Sequence, residues 1–419
     1  MVTSSHIPEY SYHRAASVIG VATLCLFLFF RPITVSFHHV GSVSLLDIFG
    51  VASSYLLMLA LLINLRNIRL PLISYVILLY IFYCLLSYLW GSEYRDIVRA
   101  VIPFLPFFLV FAAVREPSQV RLLIGALVLG YLLPIIGSAL LILIGRSDVM
   151  VTGSMLERQA GLSSGVHTTG HLMLFFSFLF GLYQIVVKDK KRLHQILLVV
   201  LLLGSLFCMY KTYTRTTMLG GLLFWSSYIW FIRRRWFVPF VALLLVVGLL
   251  KSADVQSMVM QKGYHSKQVD INSASSGREW LWKHNLKLFS ELPFESQLLG
   301  VGLGREAKPY PGRMNVMWAG SHNDYLSLLV TVGVIGLALY LLMYGVLLLD
   351  LMLTSWNRDL RYFMLSVIGP VLVMNLVSNS YIVRTQMAQL FWFLIGLLYV
   401  CRELDKRSVT TAAVTRVSS

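Results

Sequence analysis

A histidine crowded by polar groups at the start of an apolar stretch is the first place where this sequence offers chemistry. His322 stands in the run Ala319-Gly-Ser-His-Asn-Asp-Tyr-Leu, with Ser321, Asn323 and Asp324 beside it. A neutral imidazole there can accept a proton from a sugar hydroxyl. A helix beginning at that point would also turn its positive end toward an anion. The bland alternative is a structural histidine. Arg215 lies in Lys211-Thr-Tyr-Thr-Arg-Thr-Thr, a polar hairpin between two apolar stretches. Its guanidinium either snorkels to a membrane interface or grips phosphate oxygens bidentately. Arg278 and Arg158 are further candidates, each set against a solvated loop residue. Arg158, Asn323 and Asp324 are placed as possible glycan or acceptor contacts.

Other machinery is missing. No GxxxxGK[ST] loop is present, and GVGLG at 300–304 is not GxGxxG. HExxH, EF-hand and Cys/His zinc patterns do not occur, nor does any Asp-x-Asp pair. His167 and His171 share an i, i+4 face, but without a third ligand nearby they read as hydrogen-bonding groups rather than a metal site. The expected chemistry therefore uses no metal and no cofactor, and acts on a substrate that arrives already activated.

What must position these groups is a membrane bundle. Of 419 residues, 57% are hydrophobic and 13% charged, and the mean hydropathy is +0.74. Soluble domains carry roughly 25% charged residues, so a cytosolic enzyme, a disordered regulator and a small secreted domain are excluded. Twelve stretches reach the length of about 20 residues that a helical span needs. They are 17–36, 44–63, 70–90, 97–114, 119–145, 166–187, 195–211, 216–232, 236–250, 323–349, 361–380 and 386–402. The whole chain, 1–419, then forms a single all-α polytopic domain with one large outer loop, 251–321, between the ninth and tenth spans. Within that loop, residues 278–292 (REWLWKHNLKLFSEL) show the apolar spacing of an amphipathic helix, with 273–277 as its flexible approach. Such a helix would lie at the membrane interface or cap a cavity.

Charge gives the orientation. With a cytoplasmic N-terminus, 18 of the 35 Lys and Arg fall on short inner segments, against 8 on short outer ones. That asymmetry puts both termini in the cytoplasm and the large loop outside. Positive-inside topology also accounts for the net charge of +16 better than nucleic-acid binding, which needs a continuous basic surface. Cys25, Cys84, Cys208 and Cys401 all lie in apolar stretches and read as small buried residues. The spans are almost uncharged inside and the polar candidates gather at their outer ends. A transporter or flippase, the reading from another class, would instead place polar groups near the midplane.

Together these residues carry a family resemblance. SHNDYLSLLVTVGVIGLALY (321–340) resembles the His-Asn-x-x-Leu…Gly-x-x-Gly-Leu signature of the O-antigen ligase/polymerase superfamily. TRTTMLGG (214–221) is similar to its arginine segment, and SGREWLW with LLGVGLG to its large periplasmic loop. The resemblance implies a GT-C-like glycosyltransferase of the bacterial inner membrane, working at the periplasmic face. The implied donor is an undecaprenyl-diphosphate-linked glycan and the implied acceptor a sugar hydroxyl of lipid A–core. By the same resemblance His322 is the catalytic residue, and Arg215 and Arg278 bind the diphosphate. Many ligases show His-x-His-Asn where this chain has Gly320-Ser321-His322-Asn323. A repeat-unit polymerase of O-antigen or exopolysaccharide therefore stays open beside the ligase.

Overall fold

The protein is described here by a computed structural model. It describes residues 7–37, 39–40, 43–68, 70–147, 149–151, 157–163, 165–251, 278–305, 309–310, 313–317, 321–378 and 384–418. The expected approach at 273–277 and much of the large outer loop lie outside the described residues. Helices dominate: α1 (Ile7–Ser36), α2 (Leu45–Asn64), α3 (Leu72–Leu86), α4 (Tyr94–Val101), α5 (Leu105–Ala113), α6 (Pro117–Leu143), α7 (Val166–Val186) and α8 (Arg192–Lys211) fill the first half. Then follow α9 (Arg215–Ile232), α10 (Phe237–Leu250), α11 (Arg278–Ser290), α12 (Phe294–Leu299), α13 (Asp324–Leu353), α14 (Arg358–Val377) and α15 (Thr385–Ser418). The strands among the described residues form short two-stranded antiparallel ribbons.

Nine helical segments among the described residues are long and apolar enough to cross a membrane, the architecture of an all-α polytopic membrane protein. The other three expected spans are helical but fall short of that measure. Of α2, the apolar helix among the described residues is the shorter Ile48–Asn64. α9 carries Thr216, Thr217, Ser226 and Ser227, which dilute its apolar character. α10 has 14 residues, a rise of only about 21 Å.

α15 and α7 are the most enclosed of the nine, and the others wrap them. α1 packs against α2, α5 and α6, α9 against α14, and α15 against α5. One observation departs from the expectation of uncharged spans. Arg31, inside α1, is fully buried: it donates to the Gln389 side chain of α15, and its guanidinium lies 5.9 and 5.6 Å from the Phe27 and Phe49 rings.

α13 is not the uninterrupted helix its apolar run predicts. At Gly333 the backbone takes φ 68° and ψ −173°, and the helix breaks in two. This conformation belongs almost to glycine alone. A break inside a membrane must re-satisfy its carbonyls, and the 300–304 loop does so. The Val301 and Gly302 amides donate to the Val330 and Thr331 carbonyls at 3.0 and 2.9 Å, and the Tyr83 hydroxyl to Val332 O at 2.9 Å. Trp90 Nε1 in turn holds the Leu299 carbonyl at 3.0 Å. The GVGLG run is thus a wedge that interlocks backbone to backbone with the break. A Cβ at Gly300 or at Gly333 would overlap main-chain atoms of the other segment.

Candidate active site

The first, short half of α13 ends at a turn that presents His322. The Asn323 Oδ1 accepts from the Leu326 amide at 3.0 Å, an N-cap that starts the helix. The Ser321 hydroxyl donates to Asn323 O at 2.9 Å and lies 2.8 Å from the Ser327 hydroxyl. Trp282 of α11 donates its indole N–H to Ser321 O at 2.7 Å. α11 covers Arg278–Ser290 of the 278–292 stretch, and Leu288, with Leu292 beyond its end, packs on Leu326 and Val330 of α13. It therefore caps the bundle at this end. Held this way, Ser321, Asn323 and Asp324 are buried while His322 is exposed, with φ 48°. A non-glycine residue in the left-handed region is uncommon and strained, and such residues cluster at functional sites.

Tyr213 is the other non-glycine residue with positive φ among the described residues, at 45°, and it lies two positions before Arg215. The hairpin is tied down by its hydroxyls: Thr212 Oγ1 donates to Met209 O at 2.7 Å and Thr217 Oγ1 to Thr214 O at 2.9 Å. Arg158 braces it from the Glu157–Gln159 strand, donating through Nε to Thr212 O and through Nη2 to Thr214 Oγ1, both at 3.0 Å. Arg278 starts α11 and donates to the Val377 carbonyl at the end of α14. All six residues named from the sequence come to one end of the bundle. Asn323 Oδ1 is engaged by the cap, and Asp324 is fully buried.

Arg384 was not singled out in the sequence and belongs to the same cluster. It immediately precedes α15, and its Nη1 donates to Thr168 Oγ1 at 2.9 Å. Asp324 is the acid that faces it and supports its charge, although burial pulls the guanidinium below its ordinary value. The signal that marks Arg215, a charge at the outer end of an apolar stretch, would have found Arg384 too. The arginines feel one another. Burial holds Arg158 below its ordinary value, and the charges of Arg215 and Arg278 push it further the same way. Arg278 is lowered by burial and then by Arg215. His167 lies within reach of Arg158, Arg384 and Arg278. The N-terminal ends of α7, α9, α13 and α15 converge here, adding positive dipole ends to the guanidinium charges. Among the described residues no three His, Cys, Asp or Glu side chains gather to hold a metal ion.

The arrangement puts a cluster of arginines beside an exposed imidazole, as an anion site beside a base would require. Burial, then Arg278 and Arg384, lower the His322 pKa from its usual value of 6.5. Protonation removes the base, so activity should persist as pH falls and decline only below 6.5. The acid limb of kcat/KM for the free enzyme should have its midpoint below that value, and Arg384→Gln should move it upward. A wild-type midpoint at or above 6.5 would contradict this electrostatic picture.

A family model described as O-antigen ligase matches residues 197–341. That region contains Arg215, Arg278, His322, the 300–304 wedge and the break at Gly333. No curated protein and no solved structure matches the chain. The family covers O-antigen ligases and polymerases and implies lipid-linked glycan substrates in a membrane setting. The match covers about a third of the chain and supports membership of the O-antigen ligase/polymerase superfamily.

Proposed function

We propose that this protein is an O-antigen ligase of the bacterial inner membrane, a GT-C-like transferase with twelve spans and both termini in the cytoplasm. It moves a glycan from undecaprenyl diphosphate to a sugar hydroxyl of lipid A–core at the periplasmic face, completing lipopolysaccharide. The observation that carries the reading is the exposed His322 beside an arginine cluster at one end of the bundle. Arg215 and Arg278 receive the donor diphosphate, with Arg384 adding charge from behind. As the anomeric C–O bond to phosphate breaks, negative charge grows on the leaving diphosphate and fixed guanidinium donors stabilise it. His322 takes the proton of the attacking hydroxyl as the new glycosidic bond forms. Direct attack opposite the diphosphate inverts the anomeric centre. A diphosphate leaves without help from metal, so none is invoked. Arg158 acts by positioning the Arg215 hairpin.

The repeat-unit polymerase is the second reading, favoured by Gly320-Ser321 where many ligases have His-x. A gel of lipopolysaccharide from a deletion strain separates the two. Loss of every O-antigen band from lipid A–core, with polymer stranded on the carrier, means ligase. A surviving core-plus-one-repeat band means O-antigen polymerase, and an unchanged pattern points to an exopolysaccharide polymerase first and then to a transporter.

Arg215→Lys tests the anion site. An ammonium cannot reproduce the guanidinium fork, and charge-assisted hydrogen bonds contribute about 1.5–3 kcal/mol each. The expected fall in kcat/KM is about 10- to 100-fold. Full activity would return Arg215 to an interfacial snorkelling role.

A further inference from the structure

A cavity of about 450 Å³ opens on a different side of the first half of α13 from the one that α11 covers. Its size falls within the roughly 300–1,000 Å³ usual for small-molecule sites. Leu326 and Val330 pack beneath α11, whereas Ser327 and Thr331 line the cavity. Across from them stands α4, which contributes Asp96, Arg95 and Arg99, with Glu93 just ahead of it. Tyr80, Tyr340 and Trp392 supply aromatic walls. Thr385, the neighbour of Arg384, closes the side toward the arginine cluster.

The chemistry of this lining differs from that of the arginine cluster. Two carboxylates repel a diphosphate. Carboxylates accept well from hydroxyl pairs, and aromatic faces pack against the C–H faces of a sugar ring. Arg95 and Arg99, both exposed, add an anchor for an anionic substituent at the rim. Asp96 and Arg99 are paired at 3.1 Å, which fixes the carboxylate. The 300–304 wedge shapes the same wall. Leu303 N donates to Ser92 Oγ at 2.7 Å, Glu93 N to Leu303 O at 3.2 Å, and Gly304 lies so close to Asp96 that a Cβ would overlap its carboxylate. The cavity is also wired to the reacting end. Ser327 in its lining meets Ser321, the residue before His322, at 2.8 Å.

We propose that this cavity is the acceptor subsite, taking a hydroxyl-rich saccharide that carries an anionic group. It delivers one hydroxyl past Ser327 toward His322 while the donor diphosphate stays on the arginines. The inference rests on the transferase reading for its choice of ligand, a lipid-borne saccharide.

Binding tests it apart from catalysis. The probes are core oligosaccharide released from lipid A, and undecaprenyl diphosphate, each titrated into the full-length protein in detergent. Wild type should bind both. Glu93→Gln/Asp96→Asn should weaken core oligosaccharide at least tenfold and leave undecaprenyl diphosphate unchanged, with Thr331→Val as a milder second variant. Thermal melts confirm that each variant is folded. Absent binding of core oligosaccharide by wild type, equal affinity in the variants, or loss of undecaprenyl diphosphate from the double variant would each overturn the proposal. If the binding pattern holds but wild type transfers nothing to lipid A–core, the ligase reading fails and the subsite stands.

Discussion

His322→Ala should abolish glycan transfer while the protein stays folded. General-base assistance typically contributes 10²–10⁴-fold, and His322 is the accessible base beside the arginines. The loss should therefore be at least about 100-fold in kcat, with donor affinity little changed. Stability should move by no more than ~0.5 kcal/mol, as for surface substitutions away from packing. The imidazole is exposed, and the turn is held by Ser321, Asn323 and Trp282 rather than by the ring. His322→Gln sharpens the test, because an amide can orient a hydroxyl but cannot take its proton. Transfer by purified wild type and variants, with a melt of each, decides the matter. Normal rates in His322→Ala would remove the proposed mechanism, and rescue by glutamine would reduce His322 to an orienting role.

Gly333→Val should cost both stability and activity, although residue 333 touches no substrate. The Gly333 conformation costs any other residue about 1–3 kcal/mol in backbone strain alone. A side chain there would also overlap the main chain of the 298–300 segment. The wedge must then withdraw, leaving the Val330 and Thr331 carbonyls without their amide partners. The short helix carrying Ser327 and the His322 turn would shift, and a displacement near 1 Å can cost about 10²-fold in rate. A clear drop in melting temperature with a 100-fold loss of transfer is expected. Gly345→Ala, in the second half of the same helix where a Cβ meets nothing within 4 Å, is the control and should be tolerated. Wild-type behaviour in Gly333→Val would mean that the break plays no part in placing the site.

The two substitutions separate what is local from what is not. His322 and Arg215 are legible because the chemistry sits in a short run: polar groups against the end of an apolar stretch are costly, and cost marks function. The apolar spacing of 278–292 is likewise a local pattern, and α11 spans Arg278–Ser290 within it. The break in α13 gives no such sign, since Gly333 stands in an apolar run that reads as one helix. What opens it is a loop some 30 residues earlier in the chain, whose amides replace the helix's own donors. Arg31 is illegible for the same reason: it is a lone arginine inside an apolar run, and its meaning comes from Gln389 of a distant helix.

The sequence alone determined that the chain is built of apolar helices, which residues are candidates for its chemistry, and which superfamily its motifs resemble. Composition and periodicity suffice for that, because burying apolar surface and satisfying the backbone within each helix are decided residue by residue along the chain. Only the tertiary structure decided that Arg278 and Arg384 lie near the exposed His322 with Arg158 and Arg215 in the same arginine cluster, that Arg158 braces the Arg215 hairpin, and that a carboxylate-lined cavity opens beside the broken helix away from α11. Those juxtapositions depend on which helix ends meet, and the meeting is fixed by packing and hydrogen bonds between residues far apart in sequence, which no local pattern encodes.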